Sequence, residues 1–384
     1  MFDRLLFRNR AMMRILRKAL ALLLLVPALG CVRKTEPEPV TIGHFAPLGR
    51  PDRRGEHARQ GVALAVEELL AGGQRLAGRT VTVLHVEGGD DTEAIRAETT
   101  RLITVNKTAA LIAGPDSEAA DRLVRAAEPY GLPVAVPCEL ADTPVSGAVC
   151  LAPAPADRGK ALARFASGEQ LKVQQAALVT DTRSPIAAAV AAGFRSDWPR
   201  GEDRLNGEWT YQKDSNRQDL VQRVLKSGPG AVVIAGSRGD FFPLLEQFRR
   251  AGLDKPVLYA GADEGIAPLL QQSSAEVDFY LVTVYPGTVP GDEAFLQAYQ
   301  KRFHEKPDLF AAQAYDATRL LLESLGKAPS AQPERLLEQL RSWETYPTRT
   351  GPLTWKKGRA QRPLDVVHVQ DGKAKIVGTV ALEK

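Results

Sequence analysis

Cysteine is scarce in this chain of 384 residues: only Cys31, Cys138 and Cys150 occur. Beyond Cys31 one disulfide at most can form, so no small disulfide-stapled scaffold is encoded. Long apolar runs are missing too. The longest, "ALALLLLVPALG", falls short of the roughly 20 residues a helix needs to cross a bilayer. Catalytic signatures are likewise absent. No G-x-G-x-x-G follows the first strand-like run and no G-x-x-x-x-G-K-[ST] occurs, which removes the usual handles for dinucleotides and phosphates. Neither H-E-x-x-H nor a G-x-S-x-G elbow is present, and His44, His57, His85, His304 and His368 are scattered. The adjacent acids Asp90 and Asp91 point apart on a loop and suit a helix cap better than a metal or an acid–base pair. No enzymatic activity, cofactor or metal is therefore expected. A surplus of positive charge is lacking as well. The formal charge of +4 contains about +5 from Arg4, Arg8, Arg10, Arg14, Arg17 and Lys18 against Asp3, leaving the rest near −1. Nothing global favours nucleic acid.

What is present begins with that basic start, followed by a short apolar core that stops at "LVPALGC" and gives way to "VRKTEPEP". A basic, then apolar, then small-residue pattern describes a secretory leader. Ala28-Leu29-Gly30-Cys31 resembles the lipobox of bacterial lipoproteins, which implies a leader over residues 1–30, lipid attachment at Cys31 and a tether over 31–39. The mature protein is then exported and held on the periplasmic side of the cell envelope. In that compartment the spacing of Cys138 and Cys150 leaves two readings open, a disulfide and two separate buried thiols.

Some 350 mature residues exceed what one core usually takes, so about two domains are expected. Strand-like runs alternate with helix-compatible ones in two blocks. The first holds "VTIGHF", "TVTVLHV", "AALIAG", "LPVAVP" and "AVCLAP"; the second holds "QAALVT", "GEWTYQ", "AVVIAGS", "PVLYAG" and "FYLVTVY". Val62, Ala65, Val66 and Leu69 fall at i, i+3, i+4 and i+7, one face of a helix. Continuous apolar strands joined by helices predict parallel sheets covered on both faces, hence an α/β chain of two doubly wound lobes. Helices are predicted at 292–303, 309–325 and near 334–341, and Asp371-Gly372 marks a closing hairpin.

Ligands of open α/β sheets sit beyond the carboxyl ends of the strands. Those ends supply the candidates: Arg54 after the first run, Asp116 and Ser117 after "AALIAG", and Cys138, Glu139 and Leu140 after "LPVAVP". The second block adds Asp181, Ser237, Asp263 and Glu264. Ser117, opening a helix, suits an anion such as a carboxylate, and Asp263 with Glu264 suits an ammonium group.

From Val40 to the end, the order of "VTIGHFAPLGRPDRRGEHARQGVALAVEELLAGG", "AALIAGPDS", "YGLPVAVPC", "CLAPAPADRGKALARFA", "LLEQFRRAGL", "FLQAYQKRFHEKPDLFAAQAYDATRLLLESL" and "TGPLTWKKG" is informative. It resembles the type I periplasmic binding proteins, in particular the leucine/isoleucine/valine-binding receptors of ABC transporters. The resemblance implies two lobes joined by a multi-strand hinge, 40–155 with 289–346 and 156–288 with 347–384, and a small ligand in the cleft between them. It also implies an ABC permease as membrane partner and a monomeric receptor. Departures are clear. Arg54 and Ser237 stand where aromatics are common, Ser184-Pro185-Ile186 replaces an aromatic–glycine pair, and Cys138-Glu139-Leu140 replaces small and hydroxyl residues. Such a cleft gives a branched aliphatic side chain little burial, so a small polar ligand, amino-acid-like or carboxylate-bearing, is expected. The rival expectation is a regulatory or scaffold lipoprotein that uses the same fold to bind a protein partner.

Overall fold

Apolar runs of three to seven residues, each cut off by a polar or glycine-bearing turn, become strands, and the amphipathic stretches between them become helices. The structure is a computed structural model that describes residues 39–382 apart from 72–75, 77–79, 90, 142–145, 200–204, 273–276, 286–291 and 357–358. The leader, Cys31, the tether up to Glu38, and Asp90 lie outside the described residues.

The first lobe starts with β1 (Val40–Ala46), α1 (Arg54–Ala71), β2 (Val81–Glu87) and α2 (Thr92–Thr104). It continues with β3 (Ala110–Ile112), α3 (Ser117–Ala127), β4 (Val134–Val136) and β5 (Ala148–Cys150). The second lobe runs through α4 (Pro155–Ser167), β6 (Ala176–Asp181), α5 (Pro185–Asp197), β7 (Leu205–Tyr211) and α6 (Arg217–Lys226). It then adds β8 (Ala231–Ala235), α7 (Arg238–Arg250), β9 (Val257–Tyr259), α8 (Ala267–Gln272) and β10 (Asp278–Thr283). Next come α9 (Glu293–Phe303), α10 (Leu309–Lys327) and α11 (Pro333–Arg341). The chain closes with β11 (Thr345–Thr348), β12 (Gly351–Lys356), β13 (Arg359–Gln361), β14 (Leu364–Gln370) and β15 (Lys373–Val380). The predicted alternation is found element by element, and Asp91 caps α2 by accepting from the amides of Glu93 and Ala94.

The first sheet is parallel throughout in the order β2-β1-β3-β4-β5, with Ile42 level with Val83 on one side and Ala110 on the other. The second has the order β15-β14-β10-β9-β8-β6-β7 and is parallel from β10 to β7. Its antiparallel edge is the Asp371-Gly372 hairpin, where both residues take positive φ, as a tight type I′ turn demands. Central strands β3, β4, β8 and β9 are wholly buried, while the edge strands β2 and β7 are partly open. That contrast is what helices on both faces of a parallel sheet impose. A small sheet of β11, β12 and β13, not foreseen as a unit, stands apart from both.

Three crossings join the lobes: after β5, between β10 and α9, and between β13 and β14. α9 and α10 return to pack on α1, and α10 also meets β3 and β4. Buried Asp316 of α10 holds the turn between β11 and β12 by accepting from the amides of Arg349 at 2.7 Å and Thr350 at 3.2 Å. Buried Arg362 donates to the hydroxyls of Thr348 and Thr350 and to the carbonyl of Gly351. Burial raises the Asp316 carboxyl to about 6 and lowers Arg362 to about 10.

The helix pair α4 and α5 meets backbone to backbone at two points. Gly159 of α4 lies against the Val190 carbonyl of α5, and Gly193 of α5 lies against the Ala156 carbonyl of α4, with no room for a methyl at either. Helix propensity alone would make Gly159→Ala stabilising by about 1 kcal/mol. The overlap reverses the sign, and a net loss of about 1–3 kcal/mol is expected; an unchanged or higher urea midpoint would refute the close joint.

A second expectation concerns His44. It is fully buried on β1, its Nδ1 is 2.9 Å from Nδ1 of His85, and its Nε2 has no hydrogen-bond partner among the described residues. Burial, then His85, then Arg59 lower its pKa to about 3. The folded state therefore binds fewer protons than the unfolded one between pH 6.5 and about 3, so His44 stabilises above that window and loses the contribution as pH falls through it. The loss approaches about 1.4 kcal/mol per pH unit for one proton. Denaturant titrations of His44→Leu should show a shallower decline than wild type in that window; parallel curves would contradict the assignment.

Candidate ligand-binding cleft

In each sheet the strand order reverses direction, at β1/β3 in the first and β6/β8 in the second, and loops leaving those strands diverge to leave a crevice. The two crevices share one cavity of about 270 Å³. Of the residues the sequence singles out, Arg54, Asp116, Ser117, Cys138, Glu139, Ser237, Asp263 and Glu264 line it. Leu140 and Asp181 do not: Leu140 packs in the core behind the first sheet, and Asp181 lies in an ion network. Phe310 and Gln313 of α10, Ser184 and Ile186 of α5, and Tyr259 of β9 also face the cavity.

Several of these residues have partners that change the expected roles. Arg54, the first residue of α1, donates from Nε to Asp52 at 2.7 Å and lies 6.0 Å from the centre of the Phe310 ring. Asp52 thus takes part of the guanidinium fork. Ser117 opens α3 as expected, and Asp116 caps it: the Asp116 carboxylate accepts from the Ala119 amide at 2.9 Å. The site expected to welcome an anion already holds one. Cys138 is a free thiol, so the pair with Cys150 does not form a disulfide. Both are buried in the core behind the first sheet, and burial, then Asp116, push the Cys138 thiol well above its usual range, leaving it protonated and inert.

Glu139 is not a free acid either. Arg158 of α4 grips it through Nε and Nη2, donates also to the Gly261 carbonyl, and is 1% exposed; Glu139 is 5% exposed. The Asp263 amide donates to the same carboxylate at 3.2 Å. Burial pushes the Glu139 carboxyl above the ordinary range against the pull of Arg158. Asp263 in turn accepts from the Gly265 amide, the Thr283 hydroxyl and the Val284 amide at 3.0, 2.9 and 2.9 Å, which binds it to the crossing after β10. Arg158 was missed from the sequence. Its signal was there: with Ala161, Leu162 and Phe165 it falls at i, i+3, i+4 and i+7, a guanidinium on the apolar stripe of its helix.

Ser237 caps α7, accepting from the Asp240 amide at 3.2 Å and donating to its carboxylate at 3.1 Å. Arg183 bridges that carboxylate to Asp181, and Arg217 holds it from the other side. Oε2 of Glu264 is ion-paired with Arg238 Nε at 3.3 Å, short of a hydrogen bond, and the buried Tyr259 hydroxyl makes no hydrogen bond among the described residues. No three His, Cys, Asp or Glu side chains converge as a metal would require, among the described residues.

Removing one partner of a buried ion pair costs about 3–5 kcal/mol, whereas replacing both by apolar groups can be nearly neutral. Glu139→Gln should lose stability in that range, and Glu139→Leu with Arg158→Met should regain most of it. Chemical denaturation decides: a Glu139→Gln loss under about 1 kcal/mol would mean that the pair is not desolvated.

The cleft has counterparts. A family described as periplasmic binding protein has a sequence profile that matches residues 39–374. A Leu/Ile/Val-binding protein homolog 7 of Brucella abortus is 25% identical over 318 residues, 75% of this chain and 77% of that protein. A leucine-, isoleucine-, valine-, threonine- and alanine-binding protein of Pseudomonas aeruginosa is 25% identical over 144 residues, 36% of this chain and only 38% of that protein. Among solved structures, LivJ of Streptococcus pneumoniae with isoleucine superposes at a TM-score of 0.74, with 22% identity over 89% of this chain and 99% of that one. A solute-binding protein of R. palustris with benzoate gives 0.69, with 19% identity over 90% and 98%. These structures share the fold, type I in its two wound lobes and triple crossing. Because the profile spans both lobes and every crossing, the chain belongs to the periplasmic binding protein family.

Proposed function

We propose that the protein is the solute receptor of an ABC-type import system and binds one small polar solute between its lobes. The carrying observation is the cavity of about 270 Å³ at the facing strand ends, lined by polar side chains from both lobes. Its size suits an amino acid or a substituted benzene ring, the solutes held by the S. pneumoniae and R. palustris proteins. Closure would bend the three crossings and bring the lobes together over the solute. Residues 40–155 with 289–346 would move against 156–288 with 347–384. Export and a lipid anchor at Cys31 complete the reading, since a receptor that stays at the membrane delivers to its permease there. Two or more acyl chains would make that anchoring stable.

The rival, a scaffold lipoprotein that binds a protein partner, draws on one observation: Glu139, Asp263 and Asp181 are already satisfied within the chain. One experiment separates the two. In a thermal-shift screen against amino acids, amines, amides and small aromatic acids, a true solute at a hundred times its Kd adds about 2.7 kcal/mol of stability. A clear rise with at least one compound is expected; no rise with any would count against the receptor and for the scaffold.

A further inference from the structure

Buried polar groups without partners are rare enough that each asks for an explanation. Two of them face this cavity from opposite lobes. On the first lobe, the Gln313 carboxamide of α10 is 7% exposed and makes no hydrogen bond among the described residues. On the second, the Tyr259 hydroxyl, in a side chain 2% exposed, makes none either. Burial, and next the Glu264 carboxylate, push that hydroxyl far above its usual range, so it keeps its proton and stands as a donor.

A carboxamide carries an N–H donor and a carbonyl acceptor side by side. A partner that answers both must present a carbonyl beside an N–H, which is the edge of another amide. An ionised carboxylate accepts only. It would use the Gln313 nitrogen and leave the carbonyl oxygen unpaired, facing negative charge. An ammonium group donates only and leaves the Gln313 nitrogen unanswered. A site with buried groups of both kinds rejects an analogue that satisfies one of them.

The surroundings suit a flat, acceptor-bearing group. Phe310 and Gln313 stand three residues apart on α10 and so share a face of that helix. The Arg54 guanidinium lies 6.0 Å from the Phe310 ring centre and gives Nε to Asp52, while its two outer nitrogens make no bond among the described residues. They are further donors near the same wall.

We infer that the solute carries an amide, as a primary carboxamide or a lactam, and that Gln313 reads the amide edge while Tyr259 donates to an acceptor from the opposite lobe. This deepens the receptor reading and rests on it. The recognised group is then uncharged, in place of the carboxylate expected from the sequence.

The test uses matched pairs that exchange an amide for a carboxylate: nicotinamide with nicotinate, benzamide with benzoate, glutamine with glutamate, and δ-valerolactam with 5-aminovalerate. Thermal shift ranks them and calorimetry gives Kd. At least one amide should bind, at least tenfold tighter than its carboxylate partner. Gln313→Met, which keeps the volume and removes both bonding groups, should weaken the amide about tenfold or more and abolish the preference. Tyr259→Phe should weaken the amide severalfold. Equal or tighter binding of the carboxylates would overturn the inference and leave the receptor reading intact. So would a preference for the amide that survives Gln313→Met, or an affinity that Tyr259→Phe does not alter. Binding by none of these compounds would overturn the inference alone; silence across the wider screen as well would overturn the receptor reading too.

Discussion

A guanidinium taken out of water beneath the cavity sets the terms for the whole cleft. Arg158 is as buried as any core residue, and only an equally buried carboxylate makes that tolerable. The carboxylate comes from Glu139 on the first lobe, while Arg158 sits on the second. Around this pair the Gly261 carbonyl and the Asp263 amide complete the bonding, and Asp263 passes it on to Thr283 and Val284 at a crossing. The floor of the cleft, both lobes and one strand of the hinge therefore share a single polar network. Parting the lobes at the floor would strand a charge in an apolar setting, whereas parting them at the mouth costs only exposed contacts.

Much of the fold was legible because its signals are local. A short apolar run bounded by turn residues makes a buried strand wherever it lies, and Asp91, Asp371 and Gly372 act on neighbours two or three residues away. The site was legible only as a set of positions. Strand ends located most of the cavity, but the state of each side chain depends on partners distant in sequence, such as Arg158 for Glu139 and Thr283 for Asp263. Ser117 opens its helix as read, but the residue before it, Asp116, caps that helix and brings a carboxylate to the place where an anion was expected. No pattern in the chain distinguishes an acid that meets a solute from one that holds the hinge. The small sheet of β11, β12 and β13 escaped for a similar reason: its strands are short and have no core of their own.

The departures from branched-chain receptors also find a physical setting. Ser237, in place of an aromatic, belongs to a cap that draws in Asp240, Arg183, Arg217 and Asp181. What could be an apolar wall is instead an ordered network of ions along the ends of β6 and β8. Apolar contact survives mainly on the α10 side, at Phe310, and at Ile186. A solute in this cleft would gain most from directed polar contacts and only a little from burial.

The joint between α4 and α5 reaches further than packing. Helix α4 begins directly beyond the first crossing, and α5 starts at the cavity with its cap Ser184 and with Ile186. With Gly159 and Gly193 pressed against opposing carbonyls, the two helices have no intervening side chains to yield. Any rotation that starts at residues 151–154 therefore arrives at the rim without backlash, as through a rigid coupling. A solute touching Ile186 would feel the hinge angle at once, and its grip would return the same torque to the strand that bends.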